Sequence, residues 1–181
     1  MIFKVGPLPM TVGVITTLHG LHGDVVNAAP VTWFTPVSYE PPLMLIALKR
    51  EKDSKKNIEE MGEFVLQTVP FDCIQKVHNL ARGLPRNESE VEYEGLEVVK
   101  SKHVHVPRLK IALQWFECIV NPMTIHTWGL THAQIIGRVL NADEEEVSRL
   151  KLSDEDEEHV AMYFGGLNYA RPHRSIAVKP Y

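Results

Sequence analysis

The sequence predicts a mainly β fold with helices, an α+β chain whose strands form a barrel. Many short segments are rich in Val, Ile and Thr, as strands are, and only two or three segments have the spacing of helices. Of the 181 residues, 44% are apolar and 23% are charged, which is typical of a globular protein. We expect one domain over residues 1–181, because no repeat or shift in composition marks a boundary.

The first half of the chain contains runs of apolar and β-branched residues that predict strands at 11–18, 25–29, 43–48 and 63–69. The first two strands flank a predicted hairpin turn at 19–24, where glycine supplies the positive φ. The third is a continuous apolar run, so we expect it to be buried on both faces.

Two segments predict helices. Asp53 or Ser54 is a suitable N-cap for a helix that ends near Met61, and Gly62 is a suitable stop. Residues 71–81 have helical spacing, and the predicted apolar face carries Phe71, Ile74, Val77 and Leu80.

The second half is mostly predicted strand, after a polar segment at 82–95 that we expect to be an exposed loop. Residues 103–106 alternate between polar and apolar, as a strand does. Two further strands are expected to pair about a bend at Asn121 and Pro122, and a last strand contains a glycine where a bulge is expected. These elements are 111–120, 123–128, and 131–140 with Gly137.

Composition excludes several classes of function. The net charge of −4 argues against nucleic acid as a partner, because phosphate binding normally needs a basic surface. No apolar run reaches the roughly 18 residues needed to cross a bilayer, so we expect no membrane partner. The N-terminus lacks the pattern of a signal peptide, and Cys73 and Cys118 are expected to be reduced thiols, so a cytoplasmic location is predicted.

Three further patterns are expected to carry no chemistry. The acidic runs at 143–146 and 154–158 are interpreted as solvated faces or helix starts. The tail at 165–172 is expected to be loop, although its tyrosine neighbourhood suits either a ligand cover or packing. His103 and His105 share a strand face but have no third ligand nearby in the sequence, so no metal site is expected.

The most informative stretch is 27–42, which is stiffened by Pro30, Pro36, Pro41 and Pro42. Its hydroxyl groups and unpaired backbone N–H groups suit a flat ligand with polar edges, which needs many hydrogen bonds from a rigid wall. Turn capping by the hydroxyls is the alternative interpretation.

Four stretches in order resemble the flavin reductase-like family, the FMN-binding split-barrel proteins that include flavoredoxin. They are 14–17, then 27–30 with 33–38 and 41–42, then 49–50 with 53–58 and 62–65, and finally 117–118 with 131–132 and 135–139. The resemblance implies a six-stranded antiparallel split barrel and a homodimer with FMN near the subunit interface. It also implies a flavin that is reduced by NAD(P)H or passes electrons to a partner. The family often has Gly-Asp-His where this chain has Leu130-Thr131-His132, so only the histidine is retained.

The resemblance implies a cofactor-binding set in which basic and hydroxyl groups clamp the phosphate, hydroxyls hold the ribityl chain, and backbone N–H groups meet the pyrimidine edge. A helix start favours an anion, which supports Ser54 as part of the clamp. Of the adjacent aromatics, we expect one to face the barrel core and the other the cofactor. The set is Asn27, Ala28, Ala29, Thr32, Trp33, Phe34, Thr35, Val37, Ser38, Leu48, Lys49, Arg50, Ser54, Lys55 and Asn57.

His132 is the candidate catalytic side chain, since imidazole can donate a hydrogen bond or a proton near neutral pH. A packing role in the core or an interface is the alternative. The predicted function is an NAD(P)H-dependent flavin oxidoreductase with FMN as cofactor and an acceptor protein or monooxygenase as partner. A flavoredoxin-like electron carrier is the second hypothesis, and a barrel that binds another flat ligand, such as pyridoxal phosphate or haem, is the third. No Gly-x-Gly-x-x-Gly turn indicates which nicotinamide cofactor is used.

Overall fold

The computed structural model describes residues 9–19, 25–129, 131–142, 160–163 and 167–170. Antiparallel strands dominate these residues, as the predicted fold class requires. In chain order they are β1 Met10–Thr11, β2 Gly13–His19, β3 Val25–Val31, β4 Phe34–Tyr39, β5 Pro42–Lys49, β6 Glu63–Thr68, β7 Val98–Val99, β8 Arg108–Leu109, β9 Gln114–His126, β10 His132–Ala142, β11 Met162–Tyr163 and β12 Tyr169–Ala170.

The main sheet has seven strands in the order β3-β2-β6-β9-β10-β5-β4, and every neighbouring pair is antiparallel. Its two edge strands approach each other, because β3 ends at Val31 and β4 begins only three residues later at Phe34, whose ring packs over Gly13 of β2. The sheet therefore curls into a barrel, and the backbone N–H of Ala47 extends the ladder between β4 and β5 by donating to the Trp33 carbonyl over 2.9 Å. The predicted mainly β fold with helices is therefore confirmed.

The proline-rich segment is not a loop throughout, and it adds a seventh strand to the six that were expected. Pro30 lies in β3 and Pro36 in β4, and these two strands are the edges of the sheet. A proline is tolerated on an edge strand because its missing N–H can face away from the ladder. The prolines thus mark the edges of the barrel.

Strand β5 is buried on one face only, so the expectation of burial on both faces is wrong. Met44, Ile46 and Leu48 point into the barrel and are buried, while the alternate residues Leu43 and Leu45 are half-buried. The apolar run is continuous because both faces of β5 carry apolar residues, although one of these faces points away from the barrel interior.

The two strands expected on either side of Asn121 and Pro122 are one bent strand, β9, and they do not pair with each other. Both halves pair with β10 instead, and the register shifts between Ile135 and Gly137. The bulge expected at Gly137 is confirmed at this shift. A Cβ on Gly137 would lie 2.7 Å from Cε1 of the buried Phe64, so only glycine fits there.

Residues 103–106 alternate in burial but do not form a strand. Val104 and Val106 are buried. The backbone N–H groups of this segment bond to buried or half-buried carboxylates rather than to a neighbouring strand. His103 donates to Glu117 over 2.6 Å and His105 to Glu63 over 2.7 Å.

Helix α1 spans Asp53–Met61 and ends at Gly62, whose φ of 69° is left-handed, as expected. Its N-cap is Lys52 rather than Asp53 or Ser54, and no side chain caps it. The Ser54 hydroxyl does not cap the helix because it donates to the Asn27 side chain instead.

The second predicted helix is divided into a 3₁₀ turn at Phe71–Cys73, helix α2 at Ile74–Asn79 and a 3₁₀ turn at Leu80–Arg82. The expected exposed loop at 82–95 contains a third helix, α3, at Glu90–Tyr93. Ser89 caps α3, and both Glu90 and Val91 are buried, so the expectation of an exposed loop is wrong there.

Three apolar clusters organise the described residues, and the smallest contains Leu18, Val65, Val104 and Val106. Ile15, Ile46 and Phe64 belong to the cluster inside the barrel. Val12, Val77 and Val91 belong to a second cluster on the outer face of β2 and β3, which α2 and α3 cover. A small sheet of β1, β11 and β12 lies beside this second layer.

The remaining expectations fall partly or wholly outside the described residues. The hairpin turn beyond His19 and both acidic runs lie outside them. Of the tail, residues 167–170 are described and include β12. None of the described helices is long and apolar enough to span a bilayer.

Candidate functional site

A cavity of about 380 Å³ lies where the ends of β3 and β5 meet the start of α1. This volume is within the range of small-molecule sites. Seven of the sixteen side chains expected to bind or react line it. They are Ala29, Thr32, Trp33, Leu48, Lys49, Ser54 and His132.

Register explains why the rim of the cavity combines distant parts of the chain. His132 at the start of β10 pairs with Lys49 at the end of β5. The N–H of Lys52 donates to the Lys49 carbonyl over 3.1 Å, which turns the chain into α1. One strand end thus brings the predicted histidine and the predicted basic turn together.

Two expected residues, Asn27 and Asn57, lie behind the cavity wall in a buried hydrogen-bond network. Asn27 Oδ1 accepts from Ser54 Oγ over 2.7 Å and from Thr17 Oγ1 over 3.3 Å. Asn57 Nδ2 donates to Thr17 Oγ1 over 3.1 Å, and Asn57 Oδ1 accepts from Arg86 over 3.1 Å. These amides hold the wall in place and are already bonded.

The seven other expected residues lie away from the cavity lining. Ala28 is in the outer apolar layer, and Phe34 packs against the barrel cluster with its ring over Gly13. Trp33 lines the cavity instead, so one aromatic faces the core and the other the cavity, as expected. Thr35, Val37 and Ser38 lie on the edge strand β4. Arg50 lies in the turn after β5, and Lys55 is ion-paired on α1.

The opposite wall consists of α2 and the C-terminal strands β11 and β12, and few of its residues could be predicted from the sequence. His78, Tyr163 and Tyr169 line it, and Lys52 lines the cavity near Ala81. Lys52 lies two residues from the predicted Arg50, and the two tyrosines flank a glycine pair, so the local sequence could have indicated these residues. No local pattern indicates His78, because its position depends on how α2 packs on β3.

The basic end of the cavity can bind an anion. Lys49 is exposed at the end of β5, and Lys52 Nζ donates to the Ala81 carbonyl over 3.2 Å. The nine-residue helix α1 begins between them and Ser54, with its N-terminal partial positive charge at the cavity.

The aromatic rim carries the candidate catalytic histidine. The His132 and Trp33 rings are 4.6 Å apart between centroids, with 39° between their planes. The Thr131 hydroxyl lies 3.0 Å from His132 Nδ1. Thr131 therefore occupies the orienting position for which the family often has an acid.

The opposite wall holds a hydrogen-bonded pair. His78 Nδ1 lies 2.9 Å from the Tyr169 hydroxyl, and the Tyr163 ring is 5.4 Å from the Tyr169 ring. Burial raises the pKa of Tyr169, and the neighbouring Tyr163 adds to the effect. The Tyr169 phenol therefore stays neutral at physiological pH.

A second cavity of about 420 Å³ lies beside α3 and contains none of the expected residues. Glu88 and Glu92 line it, and their carboxylates would repel a phosphate. We therefore assign the candidate site to the first cavity although the second is larger. Within the described ranges, no group of three or more His, Cys, Asp or Glu side chains is placed to hold a metal ion.

Comparison with protein families identifies a match to the flavin reductase like domain over residues 5–166. The uncharacterized protein YwrF of Bacillus subtilis (strain 168) is 36% identical over 140 residues, which are 74% of this chain and 67% of that protein. The uncharacterized protein BH2278 of Halalkalibacterium halodurans is 37% identical over 142 residues, with coverage of 74% and 67%.

Solved structures share the fold. Component B of nitrilotriacetate monooxygenase from Bacillus cereus superposes with a TM-score of 0.77 at 26% identity, covering 94% of this chain and 88% of that one. The 2-nitrobenzoate 2-nitroreductase NbaA of Pseudomonas fluorescens gives 0.79 at 25% identity, with coverage of 98% and 87%. An FMN-binding protein of Thermus thermophilus with bound p-hydroxybenzaldehyde gives 0.80 at 23% identity, with coverage of 98% and 95%, and shows the fold alone.

Proposed function

The chain belongs to the flavin reductase-like family, and from this premise we propose that its cavity binds FMN and that it is an NAD(P)H-dependent flavin oxidoreductase. One observation carries the proposal. Two lysines and the start of α1 meet at one end of a cavity whose other walls are rigid backbone and aromatic rings. An anionic group at one end and a flat ring at the other match that arrangement.

The phosphate of FMN is proposed to bind at Lys49, Lys52 and the first N–H groups of α1. Both lysines line the cavity, and the first turn of a helix has N–H groups without intrahelical partners. Lysine acts on a phosphate as a mobile point charge, so exposed side chains suit this role. Arg50, expected in the clamp, does not line the cavity and is left out of this proposal.

The ring is proposed to lie along the end of β3. Ala29, Thr32 and Trp33 form a wall there, and Pro30 between them restricts the backbone. Backbone N–H groups on such a wall can hydrogen-bond the polar edge of a flat ring without reorganisation. Trp33 and Tyr163 bound the space from two sides.

FMN, when bound, supplies the ability to accept a hydride from nicotinamide and pass its electrons on. The contribution of this chain is alignment and control of polarity. His132 stands at the rim, with its ring held by Trp33 and by the Thr131 hydroxyl. We propose that it orients the nicotinamide donor by hydrogen bonding.

A second copy of the chain is proposed to cover the outward face of β5 and β10. Leu45 pairs with Ile136 on this face, and both are half-buried, while Tyr39 is 94% and Met123 85% exposed. The same face continues through Ala47 to the cavity rim, so a partner would border the site. Sedimentation should give about twice the chain mass, and a monomer would contradict this assignment.

A solved structure of the same fold supports the proposal that this chain has a partner protein. Component B of nitrilotriacetate monooxygenase has this fold and is one component of a monooxygenase system. We propose a monooxygenase or another acceptor protein as the recipient of electrons in this case too, and a cytoplasmic location.

One observation favours a second candidate, an FMN electron carrier without its own NAD(P)H reductase activity. The His132 ring packs on Trp33, so neither ring face at this contact is open to a nicotinamide. A carrier needs no such access.

Anaerobic titration of the FMN-loaded protein with NADH and then NADPH separates the two candidates. The reductase should lose its flavin absorbance within seconds to minutes with at least one of the two donors. A carrier should keep its flavin colour with both donors and lose it only with dithionite. A protein that stays colourless after incubation with excess FMN would contradict both.

A further inference from the structure

The wall of the cavity is connected to a buried carboxylate outside it. Glu90 on α3 is 6% exposed, and its Oε2 accepts from Asn27 Nδ2 over 2.8 Å. Asn27 Oδ1 accepts in turn from Ser54 Oγ over 2.7 Å. Ser54 lines the cavity, so Glu90 is two hydrogen bonds away from it.

The direction of these bonds is fixed by chemistry. An ionised carboxylate only accepts, so the Asn27 NH₂ group must face Glu90 and its amide oxygen must face Ser54. Burial raises the pKa of the Glu90 carboxyl, and backbone N–H groups of Glu90 itself, Ala28 and Leu84 bond to the carboxylate and offset part of that rise. Ser54 has one proton, and it is donated to Asn27.

The hydrogen bonds of the Thr17 hydroxyl run in the same direction. Its hydroxyl accepts from Asn57 Nδ2 over 3.1 Å and donates to Asn27 Oδ1 over 3.3 Å. Both hydroxyls beside Asn27 are therefore donors to it. Turning the Asn27 amide over would place its oxygen against the Glu90 carboxylate and leave both hydroxyls without their acceptor.

The cavity consequently meets the lone pairs of Ser54, not its proton. A phosphate oxygen also carries lone pairs and is repelled there, whereas a sugar-alcohol hydroxyl can donate. Lys55 is paired with Glu59 at 2.6 Å and Arg86 with Glu60 at 2.7 Å, so neither offers its charge to a phosphate at Ser54. The lysines that line the cavity are Lys49 and Lys52.

We infer that Ser54 accepts a hydrogen bond from a ribityl hydroxyl of the flavin, and that Glu90 is the positioning residue that sets this polarity through Asn27. The inference rests on the proposed function and changes the role first expected for Ser54 in the phosphate clamp. The phosphate is left to Lys49, Lys52 and the backbone N–H groups at the start of α1.

Three flavins separate the possible roles of Ser54. Lumiflavin has the ring alone, riboflavin adds the ribityl chain, and FMN adds the phosphate. In Ser54→Ala, riboflavin and FMN should both bind about fivefold more weakly, as for the loss of one neutral hydrogen bond, while lumiflavin is unchanged. Weaker binding of FMN with unchanged riboflavin would overturn the inference.

Glu90→Gln tests the positioning role. A glutamine amide can donate to Asn27, so the Asn27 amide can turn over and release the Ser54 proton toward the cavity. A ribityl hydroxyl can also accept a hydrogen bond, so riboflavin affinity should fall by no more than in Ser54→Ala, and the double variant should bind no more weakly than Ser54→Ala alone. Fully additive effects would show that Glu90 does not act through Ser54.

Glu92→Gln is the matched control, since Glu92 is exposed on the same short helix and bears the same charge. It should leave all three affinities unchanged. Unchanged lumiflavin binding reports an intact cavity in each variant, and Ser54→Ala decides the question if Glu90→Gln does not fold. Failure of the unmodified protein to bind any of the three flavins would contradict the proposed function together with this inference.

Discussion

The lysines at the cavity rim and the buried polar network behind its wall are neighbours in sequence but differ in physical character. Lys49 lies on the surface at a strand end, whereas Ser54 and Asn57, a few residues later, are 2% and 0% exposed. An exposed lysine can move to a ligand and lose little when none is present. A buried amide is bonded before any ligand arrives, so its substitution affects the fold first.

The largest expected effect is on stability, from Asn27→Ala. This change removes the acceptor of Ser54 and Thr17 and the donor of Glu90 at once. Leaving buried polar groups unpaired costs about 1–3 kcal/mol each, so we expect a loss of roughly 3 kcal/mol in the free energy of unfolding. Urea denaturation measures it.

The control for this variant is Asn87→Ala, at an exposed asparagine, which should change the free energy of unfolding by less than about 0.5 kcal/mol. Equal losses in the free energy of unfolding for the two substitutions would show that the buried network around Asn27 does not stabilise the fold.

The next effect is on binding, from the double variant Lys49→Ala and Lys52→Ala. FMN should bind roughly 30-fold more weakly, or about 2 kcal/mol, because lysines that are exposed or only half-buried contribute less than the usual 1.5–3 kcal/mol for each charged hydrogen bond. Riboflavin affinity and the free energy of unfolding should be nearly unchanged.

Lys56→Ala supplies the comparison for the rim, because Lys56 lies on α1 four residues after Lys52 but pairs with Asp53 at 3.0 Å. FMN affinity that survives in the double variant would place the phosphate elsewhere.

The fold was more accessible from the sequence than the site. The strands β2, β3, β5 and β6 follow from runs of β-branched residues, and α1 follows from its Gly62 stop. Strand β4 did not, because proline argues against a strand unless the segment is known to be an edge. That knowledge exists only once the sheet order is fixed.

Within the site, residues at strand and helix ends were predictable, and residues delivered by packing were not. Trp33, Lys49 and His132 sit at ends of segments that the sequence marks clearly. His78 reaches the cavity only because α2 packs on the outer layer. Glu90 was assigned to an exposed loop, since its burial depends on contact between α3 and β3.

A smaller effect is expected from His132→Asn, which keeps a hydrogen-bonding side chain but removes the imidazole. We expect FMN affinity to be retained and reduction by NAD(P)H to slow about tenfold, which corresponds to about 1.4 kcal/mol. Stopped-flow absorbance measures the rate. His126→Asn, at an exposed histidine of β9, is the control, and equal rates in both variants would assign His132 to packing.

The smallest effect concerns pH and the network. Burial raises the pKa of the Glu90 carboxyl in the folded protein above its ordinary value, and its hydrogen bonds offset only part of this. Ionisation is therefore less favourable in the folded chain than in the unfolded one, where the pKa is about 4.3. Stability from this group is present below that value and declines as pH rises through the folded pKa.

Unfolding measured from pH 4 upward should show this decline in the unmodified protein and a flatter profile in Glu90→Gln. Identical slopes would indicate that Glu90 titrates alike in both states. Only the slopes are compared, because the substitution also alters the bond to Asn27.

The most direct measurement is a crystal structure of the protein grown with FMN. We predict the flavin in the cavity at the end of β3, with its phosphate between Lys49, Lys52 and the start of α1 and a ribityl hydroxyl at Ser54. Flavin bound in the acidic cavity beside α3, or a phosphate turned away from both lysines, would contradict it.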